Sequence, residues 1–177
     1  MGDDMAVPEL WQGMLDLYSA PGIPEACVNV QDACEADSLL LLTAAILTRN
    51  ERQITPDLAG SLVAATAEWR HEVVLPLRAL RRRWRGRLAA ESLRERVKAL
   101  ELEAERSQVD LLQSALEATS ALPGAAAGPA LLRSNCQAVL PGGSECPACV
   151  EAREVFFHRV AALLWPALTA ENPGVAE

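Results

Sequence analysis

Six arginines fall between Pro76 and Arg87 with no acid among them: Arg78, Arg81, Arg82, Arg83, Arg85 and Arg87. On a helix, Arg78, Arg81, Arg82 and Arg85 share one face at i, i+3, i+4 and i+7, while Arg83 and Arg87 point elsewhere. One reading makes this stripe a site for anions or nucleic acid, with Trp84 available for stacking. The other has the arginines meeting Glu91, Glu95, Glu101, Glu103 and Glu105 across a helical hairpin. A chain of net charge −8 with one basic stripe beside an acidic stretch favours the internal pairing. The same balance argues against general affinity for nucleic acid or anionic lipid.

The cysteines are the second place where chemistry could occur. Cys146-Pro-Ala-Cys149 is a C-x-x-C at an expected helix N-terminus, where the helix dipole favours a thiolate. With Cys136 upstream and His158 downstream, four candidate ligands for tetrahedral zinc lie within one segment. His158 does not fit that geometry. Nine residues of unbroken helix separate it from Cys149, about 13 Å along the axis. The metal reading is therefore a site of Cys136, Cys146 and Cys149, with water, Glu145 or another chain as fourth ligand. Against it, C-x-x-C without a second paired knuckle is a modest signal, and no β-α-β pattern supports thioredoxin-like chemistry.

Glu68 and His71 have the Glu-x-x-His spacing of ferritin-like di-metal sites. Such a site needs two of these pairs and two further glutamates. The chain has only two histidines, so an exposed helical histidine is the better reading. No G-x-S-x-G, P-loop, G-x-G-x-x-G or H-E-x-x-H occurs, which leaves no recognisable catalytic set.

The elements that would position these residues are helical. Ser38 to Leu47 is apolar on every side, as a helix buried within a bundle must be. Ten residues rise only about 15 Å, half a bilayer's apolar thickness, so this run is too short to span a membrane. Burying its six large aliphatics contributes on the order of 9–18 kcal/mol, an upper bound against an extended chain. Asp37 is placed to cap its start, and Arg49 and Asn50 suit its end.

Around that helix, Pro8 opens a first helix to about Tyr18, closed by Pro21-Gly22, and a second runs from Pro24 to about Cys34. Cys27 and Cys34 share a face about 10 Å apart, too far to bridge, and read as small buried hydrophobes. Thr55-Pro56-Asp57 starts a long helix to about Arg85, which Pro76 should kink. Its partner runs from about Glu91 to Ala118, with Leu93, Val97, Leu100, Ala104 and Leu111 as a heptad-like seam. Residues 119–129 are linker-like in composition. A helix over Ala130–Leu140, the Pro141-Gly-Gly-Ser turn and a last helix to about Leu168 follow.

Half the residues are hydrophobic but only 4% aromatic, which points to aliphatic packing of a helical bundle, and no alternating run supports a strand. Five cysteines and an acidic start without a basic or apolar leader pattern fit a cytoplasmic protein.

Three blocks of residues form a recognisable pattern. The first is Trp11, Tyr18, Pro21-Gly22, Glu25-Ala-Cys27, Gln31-Asp32 and Asp37. The second is Trp69-Arg70, Val73-Val74, Pro76-Leu-Arg78 and Leu80-Arg-Arg82. The third is Leu93-Arg-Glu-Arg-Val97 and Glu101-Leu-Glu-Ala-Glu-Arg106. Over about residues 10 to 116 they resemble a family of uncharacterised proteobacterial helical proteins known only as a domain of unknown function. The family pattern has Gly before its Asp and Val-Asn after it, where this chain has Ala36 and Ser38-Leu39. The resemblance implies a helical fold and a bacterial cytoplasmic setting, and no reaction.

The expected architecture is all-α, a single-domain bundle of six or seven helices built on a long hairpin. Residues 1–118 form its core, 119–129 a linker-like segment and 130–177 a C-terminal helical segment. The expected core is Trp11, Tyr18, Leu40, Leu41, Ile46, Leu62, Trp69, Val73, Leu80, Val97 and Leu100. The expected function is that of a non-enzymatic scaffold with a protein partner, with no bound cofactor. The two alternatives are a zinc or thiol protein and an anion or nucleic-acid binder.

Overall fold

The computed structural model describes residues 9–119, 122–142 and 146–169. They form helices α1 (Leu10–Tyr18), α2 (Ile23–Cys34), α3 (Ser38–Arg49), α4 (Pro56–Trp69), α5 (Leu75–Arg83), α6 (Glu91–Glu117), α7 (Pro129–Val139) and α8 (Pro147–Leu164). A π turn at Arg70–Val74 joins α4 to α5 in one rod, so these are seven helices, followed by a single turn, Pro166–Thr169. No strand occurs among the described residues, only an isolated bridge between Arg52 and Gly124. The expected all-α bundle is the observed fold. The expected start at Pro8, the Gly143-Ser144 turn and the Glu145 ligand lie outside the described residues.

The central helix α3 is buried from Ser38 to Thr48, and only Arg49 reaches solvent. Asp37 caps it, accepting from the Leu39 amide at 3.0 Å, and Asn50 closes it by donating to the Ile46 carbonyl at 2.8 Å. Gly13 lets α1 lie directly on α3, since a Cβ there would stand 2.9 Å from Ile46 Cδ1. Helix α7 packs on α3 and α8 on α2, so Leu132, Cys136, Phe156 and Val160 join the same core as Leu10, Ile46 and Leu62.

Two expectations are corrected and one takes a specific form. The distortion expected from Pro76 is a π turn over Arg70–Val74, which contains Glu72, the residue four before the proline; there the Leu75 amide reaches the Arg70 carbonyl. A wider turn lets the chain restart as α5 with proline in its first turn, where no amide is needed. The last helix stops at Leu164, because Pro166 cannot continue it. The seam of α6 also differs. Val97 and Ala104 are buried, but Leu93, Leu100 and Leu111 are exposed, and the inward positions include Glu101, Gln108 and Leu112. Two polar residues occupy seam positions because Asp37, the cap of α3, faces Gln108 and arginines of α5 face Glu101.

That correction carries into the expected core. Leu40, Leu41, Ile46, Leu62 and Val97 are buried, Trp11, Trp69, Val73 and Leu80 are partly buried, and Tyr18 and Leu100 are 45% and 50% exposed. Trp69 lies between α4 and α6, its Nε1 donating to the Ala104 carbonyl at 2.8 Å.

The segment before α7 is tied down by backbone. Gln53 N donates to Pro123 O, and Ala125 N to Glu51 O, both at 2.9 Å. Buried Asn135 completes this junction: its Oδ1 accepts from the Ile54 amide at 2.7 Å, and its Nδ2 donates to Thr48 Oγ1 and the Arg52 carbonyl, each at 2.9 Å. Asn135→Ala strands these partners away from water and should cost about 2–4 kcal/mol. Urea denaturation should show a lower midpoint with an unchanged slope.

Candidate functional site

The arginine stripe divides on folding. Arg78 and Arg81 turn inward from α5 onto Glu101 of α6. Arg78 Nε lies 3.0 Å from Glu101 Oε1, and Arg81 Nε bonds Glu101 Oε2. Arg78 also reaches Glu105 Oε1 with Nη2, at 2.5 Å. The Arg78 and Glu101 side chains are only 11% and 6% exposed, so this is a desolvated cluster and not a surface pair. Arg82 pairs instead with Asp32 of α2 at 2.6 Å, with both side chains partly in solvent. Arg85 is exposed, and its side chain forms no ion pair or hydrogen bond among the described residues. Of the acids on α6, Glu101 and Glu105 meet the stripe, while Glu91 and Glu95 pair with Arg94 on their own helix.

Beside this cluster opens a cleft of about 550 Å³. Its floor holds Arg78, Arg81, Glu101 and Glu105, with Ser38, Leu39 and Leu42 from the start of the buried helix. Trp11, Met14, Leu15 and Tyr18 of α1 and Val28 of α2 form one wall, and Ala99 and Leu102 of α6 the other, with Glu95 and Lys98 of α6 also lining the cleft. Arg106 lies 5.2 Å from the Trp11 ring centroid and braces that wall. Ser38 accepts a hydrogen bond from Gln31 Nε2. Behind the floor, Asp37 accepts from Gln108 Nε2 at 2.6 Å and pairs with Arg70 Nε at 3.2 Å.

The two floor glutamates are held in opposite ways. Burial pushes the Glu101 carboxyl up, but hydrogen bonds from Arg81 and Arg78 outweigh it and leave it below the ordinary range. For Glu105 burial wins over Arg78, helped by the charges of Glu101 and Asp37, and its carboxyl is raised. Bonding to Glu101 also raises the Arg81 guanidinium.

Sequence reasoning placed Arg78 and Arg81 but missed the apolar half of the cleft. Tyr18 was expected in the core; it stands at the mouth, together with exposed Leu15, Val28 and Leu102. The usable signal was the apolar excess of α1, whose stripe is wider than one packed face requires.

The C-terminal thiols are arranged differently. Cys146 is exposed and caps α8, its Sγ accepting from the Cys149 amide at 3.3 Å. Cys149 is buried, with Sγ donating to the Ala33 carbonyl at 2.8 Å, and Cys34 Sγ lies 3.5 Å from the Cys149 carbonyl. Cys136 is buried on α7, and burial holds its thiol well above the ordinary range. His158 is exposed on the unbroken α8. Among the described residues, no three metal-binding side chains converge. His71 is likewise exposed, within the π turn.

These geometries set two outcomes. Glu101→Gln should cost about 3–5 kcal/mol, because it leaves two arginines facing a neutral amide in a buried site. Linkage gives the two carboxyls opposite signs. Stability from Glu101 is present above pH 4.5 and is lost as pH falls through its lowered pKa; stability from Glu105 is greatest below 4.5 and is lost as pH rises through its raised pKa. Glu105→Gln should therefore cost less than Glu101→Gln at neutral pH and remove the decline above 4.5, as followed by thermal melts across pH. Separately, a water-soluble thiol reagent should label Cys146 quickly in the native protein. Cys27, whose thiol burial raises to about 12, and buried Cys34, Cys136 and Cys149 should react only on unfolding.

The family model described as "Protein of unknown function (DUF2390)" matches residues 9–112, which contain α1 to α5 and most of α6 and so every residue lining the cleft. No curated protein and no solved structure matches the chain. A match over more than half the length, including the whole ion-paired floor, makes this chain a member of the DUF2390 family of proteins of unknown function.

Proposed function

We propose that the protein is a non-enzymatic interaction module of the bacterial cytoplasm, and that its cleft seats the apolar face of an amphipathic helix from a protein partner. The contrast between walls and floor carries this reading. Leu15, Tyr18, Val28 and Leu102 stand exposed at the mouth, while the floor charges of Arg78, Arg81, Glu101 and Glu105 are engaged with one another. Exposed apolar side chains gain by leaving water, and paired charges offer an incoming group little that they do not already have. Helical partners present side chains at i, i+3 or i+4, and i+7 to apolar residues of this kind, which α1 and α6 both supply here. Ser38, the serine in the floor, is bonded to Gln31, with no imidazole beside it to activate it. Five reduced cysteines fit a cytoplasmic setting.

Affinity capture from the cells that encode the protein tests this, with wild type compared against the Leu15→Glu, Leu102→Glu double variant. Both positions are exposed, so the variant should melt like wild type. A protein partner recovered with wild type and lost with the variant is the expected result. Equal recovery with both, or no reproducible partner under mild crosslinking, would overturn the reading.

A further inference from the structure

The remaining arginines of the run lie at the tip of the α5–α6 hairpin, away from the cleft. Arg83, Arg85 and Arg87 are exposed, and among the described residues none of their side chains forms an ion pair or hydrogen bond. The chain turns between them at Gly86, whose φ of +76° suits glycine and whose missing side chain would meet nothing within 4 Å. Next comes Leu88, 95% exposed, the most exposed large apolar residue of those described. Neither α5 nor the 3-10 turn Leu88–Ala90 contains a buried residue, so the tip stands clear of the core. Its base is fixed by Arg82 to Asp32 on one side and by Arg78 and Arg81 to Glu101 on the other.

We propose that this tip docks on an anionic phospholipid surface, with Arg83, Arg85 and Arg87 on headgroup phosphates and Leu88 entering the interface. Charge selects a polyanion, and Leu88 selects among polyanions. Guanidinium forks suit phosphate oxygens of any origin. A leucine gains nothing from a sugar–phosphate backbone, but it gains from the apolar layer just beneath lipid headgroups. The charge distribution adds orientation. The whole chain carries −8 although this tip is positive, so a negative surface attracts the tip and repels the remaining faces. Screening confines that attraction to about 8 Å at physiological salt, which makes the contact local and reversible. The contact is independent of whatever fills the cleft.

Vesicle co-sedimentation of the full chain is the test, comparing pure phosphatidylcholine with phosphatidylcholine containing phosphatidylglycerol. Binding should appear only with the anionic lipid and weaken as salt rises. Replacing Arg83, Arg85 and Arg87 by Gln should lower the partition coefficient by about 100-fold, and Leu88→Gln by about 10-fold. All four residues are exposed, so both variants should keep the wild-type circular dichroism and melting curve. Absence of binding to anionic vesicles, or binding to which Leu88→Gln makes no difference, would overturn the proposal. So would tight, salt-sensitive binding to a DNA duplex that Leu88→Gln leaves intact, which would make the tip a nucleic-acid contact.

Discussion

Asp37 joins three parts of the molecule at the start of its most deeply buried helix. A helix enclosed by protein cannot leave its first amides to water, so the chain must provide an acceptor there. Asp37 provides it for Leu39, and its second oxygen meets both Gln108 of α6 and Arg70 of the π turn. One carboxylate thereby sets the depth of α3 and the approach of two long helices. The π turn belongs to the same solution. It redirects the long helix as it passes this point, and Arg70 sits at its first position. Arg70 also donates through Nη2 to the Glu35 carbonyl, holding the turn that leads into Asp37.

Once α6 is docked there, its inward stripe must run through Glu101 and Gln108, and α5 must answer with arginines. Replacing Arg78, Arg81 and Glu101 by well-packed apolar residues would form a hairpin of comparable stability. What the ionic cluster adds is a floor that is polar and yet neutralised, next to walls of leucine, valine and tyrosine. The raised Glu105 carboxyl reflects the same crowding, since one arginine is shared between two acids.

The run of arginines has two different environments within ten residues. Helical rotation turns Arg78 and Arg81 toward α6 and Arg82 toward α2, whereas the residues past Arg82 leave the rod at its end. Trp84 ends the helix, Gly86 turns the chain, and the side chains of Arg83, Arg85 and Arg87 meet no acid among the described residues. Charge that is structural at the base of the hairpin is thus free at its tip.

The sequence alone determined the helical class, the buried central helix with its Asp37 cap, the long hairpin, and that acids of the second helix would meet arginines of the first; which two of five acids do so was left to the fold. These follow from local rules: apolar periodicity, capping chemistry and helical spacing act within one or two turns, and a hairpin brings successive helices together. Tertiary structure decided the rest. Tyr18 and Leu100 match a packed stripe as well as Leu17 and Val97 do, and only the docked angle of α1 and α6 separates buried from exposed. Asn135 looks like any polar residue of a short helix until α7 brings it to Ile54 and Arg52 across more than eighty residues. The π turn is equally silent in sequence, because Pro76 accounts for a kink by itself, and the register shift that accommodates it depends on where α6 and Asp37 hold the rod. Local spacing says which residues share a face; which face is covered, and by what, is settled only when distant helices meet.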